Sequence, residues 1–180
     1  MTDEDMRTLA DERRRLLGQH ELERNQLVRN IEFCRIRDID RPFIGEWTLK
    51  DIVGHLGSWE AEVVTALRAL REGKRPRLLD FDPTSLDEWN TDHVERKRPL
   101  DFSSVFEQLR SGRLRMLEEL ALLNDEELTA DGSVPNRLVR SIFDHEREHW
   151  HEIAAKLAGM AGARHTGPQS VPEEVSSGEK

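Results

Sequence analysis

The segment TLKDIVGHLGSWEAEVVTALRAL, residues 48–70, decides the fold of this 180-residue chain. Its apolar residues recur at offsets of three and four, which places them on one face of an α-helix. That face comprises Ile52, Leu56, Trp59, Val63, Ala66, Leu67 and Leu70. Thr48 can cap the helix, with Asp51 completing a capping box. Because His55 lies within the apolar face, we predict an amphipathic helix that buries a histidine.

Three other segments have the same helical period and few helix breakers. We predict helices over residues 3–37, 101–123 and 135–159. Asp101 precedes the first apolar turn of one of them, where its carboxylate can accept from free backbone N–H groups, and Pro135 suits a first helical turn. No stretch shows β alternation of any length.

The connections are predicted from their glycine and proline residues. Residues 40–47 are expected to form a loop and residues 124–134 a turn. Residues 74–101 contain three prolines and a short polar helix over residues 86–97. This length suits a crossover from one end of a bundle to the other. We therefore predict an all-α four-helix bundle with a long crossover between the second and third main helices.

Length and cysteine content favour one cytoplasmic domain. We assign residues 1–160 to the bundle and residues 161–180, which have almost nothing to bury, to a disordered C-terminal tail. Cys34 is the only cysteine, so no internal disulfide is expected and a reducing compartment fits. Met1 is followed by an acidic run rather than by a signal peptide.

The charge balance indicates which kinds of binding partner to expect. The chain has 36 acidic and 27 basic residues, a formal net charge of −9. This charge argues against attraction to nucleic acid or anionic membranes, and no apolar run approaches the roughly 20 residues that span a bilayer. We therefore expect neither nucleic acid nor a membrane as a partner, and the enzyme hypothesis below requires a small-molecule substrate.

A second segment, DHEREHWHEI at residues 144–153, carries metal-ligand spacing. His145 and His149 are four residues apart, so they lie on one helical face, one turn from each other. The apolar residues around them, including Ile142 and Ile153, follow the same stripe, so both imidazoles point towards the core. His151 lies roughly 200° round the helix from His149 and should face away.

Three buried histidines on two helices favour a metal site. If these helices are neighbours, the rings of His55, His145 and His149 can meet and leave one side of an ion open, as catalytic sites do. Nitrogen donors suit Zn, Ni, Cu or Fe, and the sequence does not choose among them. The alternative is a purely structural cluster of core histidines.

The run from His145 to His149 also satisfies the H-E-x-x-H pattern of zinc peptidases. Such an enzyme needs a third ligand downstream, where the chain offers only His151, Glu152 and residues in the expected disordered tail. It also needs a strand edge that holds the peptide, and none is evident. The peptidase is therefore the weaker interpretation.

The run WTLKDIVGHLGSWE at residues 47–60, with the later His145-x3-His149-x3-Ile153 pattern, resembles the DinB-like superfamily. It looks most like the ClbS/DfsB-type and mycothiol-dependent maleylpyruvate isomerase branches. The resemblance covers about residues 5–160 and implies a four-helix bundle whose metal is held at His55, His145 and His149. Family members include transferases that use low-molecular-weight thiols, an isomerase and hydrolases that inactivate toxins. A homodimer is also suggested by this resemblance.

We thus predict a divalent-metal-dependent enzyme, with Zn or Ni favoured, that detoxifies small electrophilic or toxic compounds as a thiol-dependent S-transferase or a hydrolase. Any thiol would be a cosubstrate, because Cys34 has no evident relation to the histidines. Glu60 and Glu148 are candidates to orient a ligand ring or relay a proton, although a solvated helix surface is the simpler interpretation for each. The competing hypothesis is a noncatalytic metal-binding or interaction bundle.

The tryptophans are candidates to line a pocket. Trp47, Trp59 and Trp150 could form its mouth, and aromatic core packing explains them equally well. Trp89, on the crossover, could belong to a lid.

Overall fold

The computed structural model describes residues 2–34 and 39–165, and most of these residues are helical, as predicted. The helices in this part of the chain are α1 Asp3–Phe33, α2 Leu49–Arg71, α3 Pro83–Lys97, α4 Phe102–Leu122, α5 Asp125–Thr129 and α6 Val134–His165. A 3₁₀ helix, Arg77–Asp80, precedes α3. Within the described residues, no helix is both long and apolar enough to cross a lipid bilayer.

The predicted loop at residues 40–47 contains an antiparallel hairpin. Its strands are β1, Pro42–Ile44, and β2, Trp47–Thr48. Gly45 lies in the turn with φ +57°, a left-handed conformation that glycine adopts without strain. The expectation of no strand is therefore wrong here, because strands of three and two residues are too short to show alternation.

The predicted turn at residues 124–134 contains α5. Asn124 accepts from the backbone N–H of Glu127 at 2.8 Å, and Glu127 accepts in return from the N–H of Asn124 at 2.9 Å. A five-residue helix is too short to reveal an apolar period, so the capping pair was the only available signal.

The predicted ends of the long helices differ from the observed ones. α1 ends at Phe33, and residues 35–38 lie outside the described residues. α6 continues to His165, beyond the predicted helix end at residue 159. Most of the expected tail, residues 166–180, lies outside the described residues.

The predicted helix starts agree with the structure. Thr48 Oγ1 accepts from the N–H of Asp51 at 3.1 Å, and Asp51 Oδ2 accepts from the N–H of Thr48 at 3.0 Å. Asp101 Oδ1 accepts from the N–H of Ser104 at 2.7 Å. The first pair places His55 on the second turn of α2.

The apolar interior consists of two clusters. One contains Leu16, Val63, Val64, Ala66, Leu67, Met116, Leu120, Leu128, Leu138, Val139, Ile142 and Phe143. The other contains Leu27, Ile31, Ile39, Phe43, Leu49, Ile52, Val53, Leu56, Val105, Leu109 and Ile153. On each of α1, α2, α4 and α6 the two clusters are separated by a buried charged residue, respectively Arg24, Glu60, Arg113 and Glu146.

Arg24 connects the four helices at this charged layer. It is 5% exposed, and its Nη1 donates to Glu146 Oε1 on α6 at 2.9 Å. Its Nη2 donates to Glu60 Oε2 on α2 at 3.3 Å and to the carbonyl oxygen of Leu109 on α4 at 2.8 Å. One guanidinium of α1 thus bonds to three other helices.

Helices α2 and α4 approach each other closely at two glycines. A Cβ added at Gly54 would lie 3.4 Å from Val105 Cγ1, and one added at Gly57 would lie 3.4 Å from Leu109 Cα. Leu109 Cα belongs to the backbone of α4 and cannot move aside without the helix. A Cβ at Gly57 would just touch α4, so a longer side chain at this position has no room at the present helix spacing.

Replacing Gly57 by Leu should lower the free energy of unfolding by about 1–3 kcal/mol, because the added side chain must push α4 away. Gly18→Leu is the matched control, since a Cβ at Gly18 of α1 meets nothing within 4 Å. The control should raise stability by about 0.5–1 kcal/mol, as expected when glycine leaves a helix interior. Urea denaturation measures both, and equal stabilities would contradict the close approach.

Replacing Arg24 by Met should lower the free energy of unfolding by about 3–5 kcal/mol, because two buried carboxylates lose their countercharge. The loss should be larger at pH 8 than at pH 5, since protonated carboxyls cost less to bury. Arg14→Met is the control, because Arg14 pairs with Asp11 on the exposed surface, and it should change stability by less than about 0.5 kcal/mol. A similar effect of both substitutions would show that the charged layer adds no stability to the fold.

Candidate metal centre

The structure brings together the three histidines that the sequence singled out. His55 Nε2 lies 2.9 Å from His145 Nε2, which lies 3.2 Å from His149 Nε2. Their ligand atoms all lie within 4.8 Å of one another. His55 comes from α2 and is 4% exposed, whereas the half-buried His145 and His149 come from α6.

The converging nitrogens cannot satisfy each other. An imidazole nitrogen has either one hydrogen or one lone pair, so His145 Nε2 cannot form good hydrogen bonds to both neighbours at once. A cation can accept all three lone pairs. On a tetrahedral zinc ion, with Zn–N about 2.0–2.1 Å, ligand nitrogens are about 3.3–3.4 Å apart, close to the 3.2 Å between His145 Nε2 and His149 Nε2. The three residues therefore fit a metal and could hold one.

The surroundings keep two of the rings uncharged. Burial, with smaller contributions from His145, His149 and Lys97, lowers the pKa of His55 to about 2. Burial, with a smaller contribution from His149, lowers the pKa of His145 to about 4. Both rings are neutral near pH 7, and a neutral imidazole is the form that binds a metal.

Glu152 is a site residue that the sequence analysis did not assign to this role. Its Oε2 lies 2.9 Å from His149 Nδ1, the nitrogen that faces away from the triad. A carboxylate on the outer nitrogen fixes the tautomer and the orientation of a ligand histidine. The i, i+3 spacing of His149 and Glu152 on one helix was the available signal. The Nδ1 atoms of His55 and His145 have no acceptor among the described residues.

A cavity of about 460 Å³ opens beside the triad. His55 and His145 line it, and the connection between α2 and α4 supplies Leu78, Phe81 and Leu86. The remaining lining residues from α2, α3 and α6 are Trp59, Val63, Asn90, Leu138, Ser141 and Ile142. Its volume lies within the range of about 300–1,000 Å³ that small-molecule sites occupy.

The tryptophans occupy different places around this cavity. Trp59 lines it, and its ring centroid lies 5.9 Å from that of His145. Trp89 is buried behind Trp59, at 4.5 Å between ring centroids, and it supports the wall rather than lining it. Trp47 meets His55 edge-on at 4.8 Å, whereas Trp150 stacks on His151.

The two candidate glutamates lie in different surroundings. Glu60 is 2% exposed, so the interpretation as a solvated surface residue is wrong for it. Its Oε2 accepts from Arg24, and burial raises its pKa to about 7 although Arg24 opposes the shift. Glu148 lies on the exposed surface in a groove that also includes Arg137, Arg140 and His145.

The peptidase interpretation has no support in this geometry. Glu146, the glutamate of the H-E-x-x-H pattern, is 1% exposed and its Oε1 accepts from Arg24 of α1. The third imidazole comes from His55, upstream of the pattern, and His151 is exposed and stacked on Trp150.

The buried charged residues beside the site were not predicted from the sequence. Arg24 lies between Leu16 and Leu27 on the apolar stripe of α1, and Glu146 lies between Ile142 and Ile153 on that of α6. A charge at a stripe position indicates a buried ion pair. The pattern was visible, but the identity of the partner was not.

A scan against protein families matches residues 39–153, more than half of the chain, to the DinB superfamily. The matched range includes His55, His145 and His149. Searches of curated proteins and of solved structures found no match. The chain belongs to the DinB superfamily.

Proposed function

We propose that this protein is a divalent-metal-dependent enzyme that acts on small electrophilic or toxic compounds, as a thiol-dependent S-transferase or as a hydrolase. One observation carries the proposal: three imidazole nitrogens from two helices converge beside a cavity of about 460 Å³. A structural metal site usually has four protein ligands, whereas three ligands leave a position for a substrate or water.

The proposed scaffold is a four-helix bundle formed by α1, α2, α4 and α6, with α3 in the crossover between α2 and α4. The helix contacts support it, since α2 packs against α4 and α6, and α1 packs against α6. Arg24 adds bonds from α1 to the other three helices.

His55, His145 and His149 would hold the ion, with Zn or Ni favoured by their nitrogen donors. A bound divalent metal would supply Lewis acidity and lower the pKa of a water or thiol. The side chains around it have separate tasks. Glu152 holds the ring of His149, and Trp59 with the apolar wall excludes bulk water from the reacting end. Glu148, which lies in the exposed groove beside His145, is the candidate to accept a proton.

The thiol would be a separate low-molecular-weight cosubstrate. Cys34 lies immediately after α1, half-buried, and packs against the cluster that contains Leu27 and Ile31. Its placement supports a packing role. We further propose a cytoplasmic protein without nucleic-acid or membrane partners, consistent with the net charge of −9, and a homodimer, by analogy with the superfamily.

Protein purified without a histidine tag should contain about one divalent metal ion per chain, measured by elemental analysis. His55→Ala and His149→Gln should each lose that ion and at least about 100-fold of turnover, while the circular dichroism spectrum remains helical. His151→Ala is the control, because His151 is exposed and outside the triad. It should keep metal and turnover. Turnover of electrophiles with and without several thiols separates transfer from hydrolysis.

Absence of stoichiometric metal would overturn the proposal. A noncatalytic bundle would be supported by two results together. Both triad variants would lose the ion with a large fall in melting temperature, and no electrophile would be consumed with or without thiols.

Glu152→Gln should weaken metal binding by about 10–100-fold, because the amide holds the outer nitrogen of His149 less strongly than a carboxylate. Competition with a chelator of known affinity measures the change. Glu118→Gln removes the same charge from the exposed surface of α4 and should leave the affinity unchanged. Equal effects of the two variants would mean that Glu152 acts only through net charge.

A further inference from the structure

The cavity beside the triad differs from its surroundings in charge. Charged residues make up 35% of the chain, yet none of the described residues that line this cavity is Asp, Glu, Lys or Arg. A neighbouring groove, which shares Ser141 and His145 with the cavity, contains Arg137, Arg140, Asp144 and Glu148. Apart from an ion held by the histidines, an ionised group placed in the cavity would lose hydration and find no countercharge in its walls.

Asn90 gives the cavity a directed hydrogen-bond donor. Its Oδ1 accepts from Trp59 Nε1 at 2.9 Å, which fixes the orientation of the amide. The described residues offer no acceptor to its Nδ2, and Asn90 lines the cavity. An amide held in this way presents N–H to a ligand, and a ligand oxygen is the matching acceptor.

Building on the proposed metal-dependent activity, we propose that this cavity binds the non-thiol reactant, an uncharged, mainly apolar or aromatic molecule whose hydrogen-bond acceptor meets Asn90 Nδ2. Thiol cosubstrates that carry carboxylates would find no cationic side chain among the walls. The apolar side chains on either side, such as Leu86 from α3 and Leu138 from α6, would enclose the ligand body. The walls of the cavity therefore favour uncharged ligands, and Asn90 fixes the position of one ligand oxygen.

Three probes of matched shape test this selection. They are methyl 2-naphthyl ketone, which is neutral with an acceptor, 2-ethylnaphthalene, which is neutral without one, and the anion 2-naphthoate. Ligand-detected NMR measures their binding to the full chain as purified and after chelation. Chelation removes any direct contact between an anion and a metal ion, so probe binding to the chelated protein reports on the cavity alone.

Two substitutions locate the binding, each with a matched control. Asn90→Asp keeps an oxygen for Trp59 Nε1 but replaces the free N–H donor by a carboxylate oxygen, and Asn25→Asp makes the same change on the exposed face of α1. Leu86→Trp fills the cavity, and Leu22→Trp adds the same ring at a position 69% exposed. Circular dichroism confirms that each variant is folded.

The ketone should bind the chelated protein at least about tenfold more tightly than naphthoate, and Asn90→Asp should weaken the ketone by about tenfold, the loss expected for one hydrogen bond. Leu86→Trp should abolish binding of both neutral probes, with no change in the controls. Naphthoate binding as tightly as the ketone, or ketone binding that survives Leu86→Trp, would overturn the inference. Ketone binding without stoichiometric metal would support this inference and refute only the proposed function.

Discussion

The fold depends on a guanidinium that is buried among four helices. Removing Arg24 from water costs several kcal/mol unless its N–H groups find partners with good geometry, and those partners come from α2, α4 and α6. Helices that shifted along each other would leave a buried charge unpaired. The two apolar clusters on either side can be filled by many arrangements of similar volume. The charged layer between them favours one arrangement, because hydrogen bonds to Arg24 constrain the direction of each partner group as well as its distance.

This layer is continuous with the histidine triad. Glu146 follows His145 directly on α6, and Glu60 lies five residues after His55 on α2. Successive helical residues point about 100° apart, so one helix can hold Arg24 with one side chain and present an imidazole in another direction. Fixing Glu60 and Glu146 on the same guanidinium fixes the register of α2 against α6. That register is what brings two nitrogens from different helices within 2.9 Å.

The sequence predicted those features that depend on local chemistry. The apolar period of α2, the caps at Thr48 and Asp101 and the spacing of His145 and His149 are properties of neighbouring residues, and each agrees with the structure. The hairpin at β1 and β2 and the short helix α5 lie below the length at which a period can be recognised. The partner of Glu60 could not be predicted because it lies 36 positions away, and without a known partner a charge favours the surface. The cavity also depends on how the long connection folds back, which no local pattern encodes.

The two parts of the site come from different parts of the chain. The nitrogens belong to α2 and α6, whose register is fixed by buried charges and close packing. Much of the cavity wall belongs to the connection, through Leu78, Phe81, Leu86 and Asn90. Segments between core helices tolerate changes of sequence and length better than the helices themselves. Changes in the connection can therefore alter what enters the cavity without moving the imidazoles. Within such a scaffold, the proposed metal site depends on the helix pair, and the shape of the cavity also depends on the segment between α2 and α4.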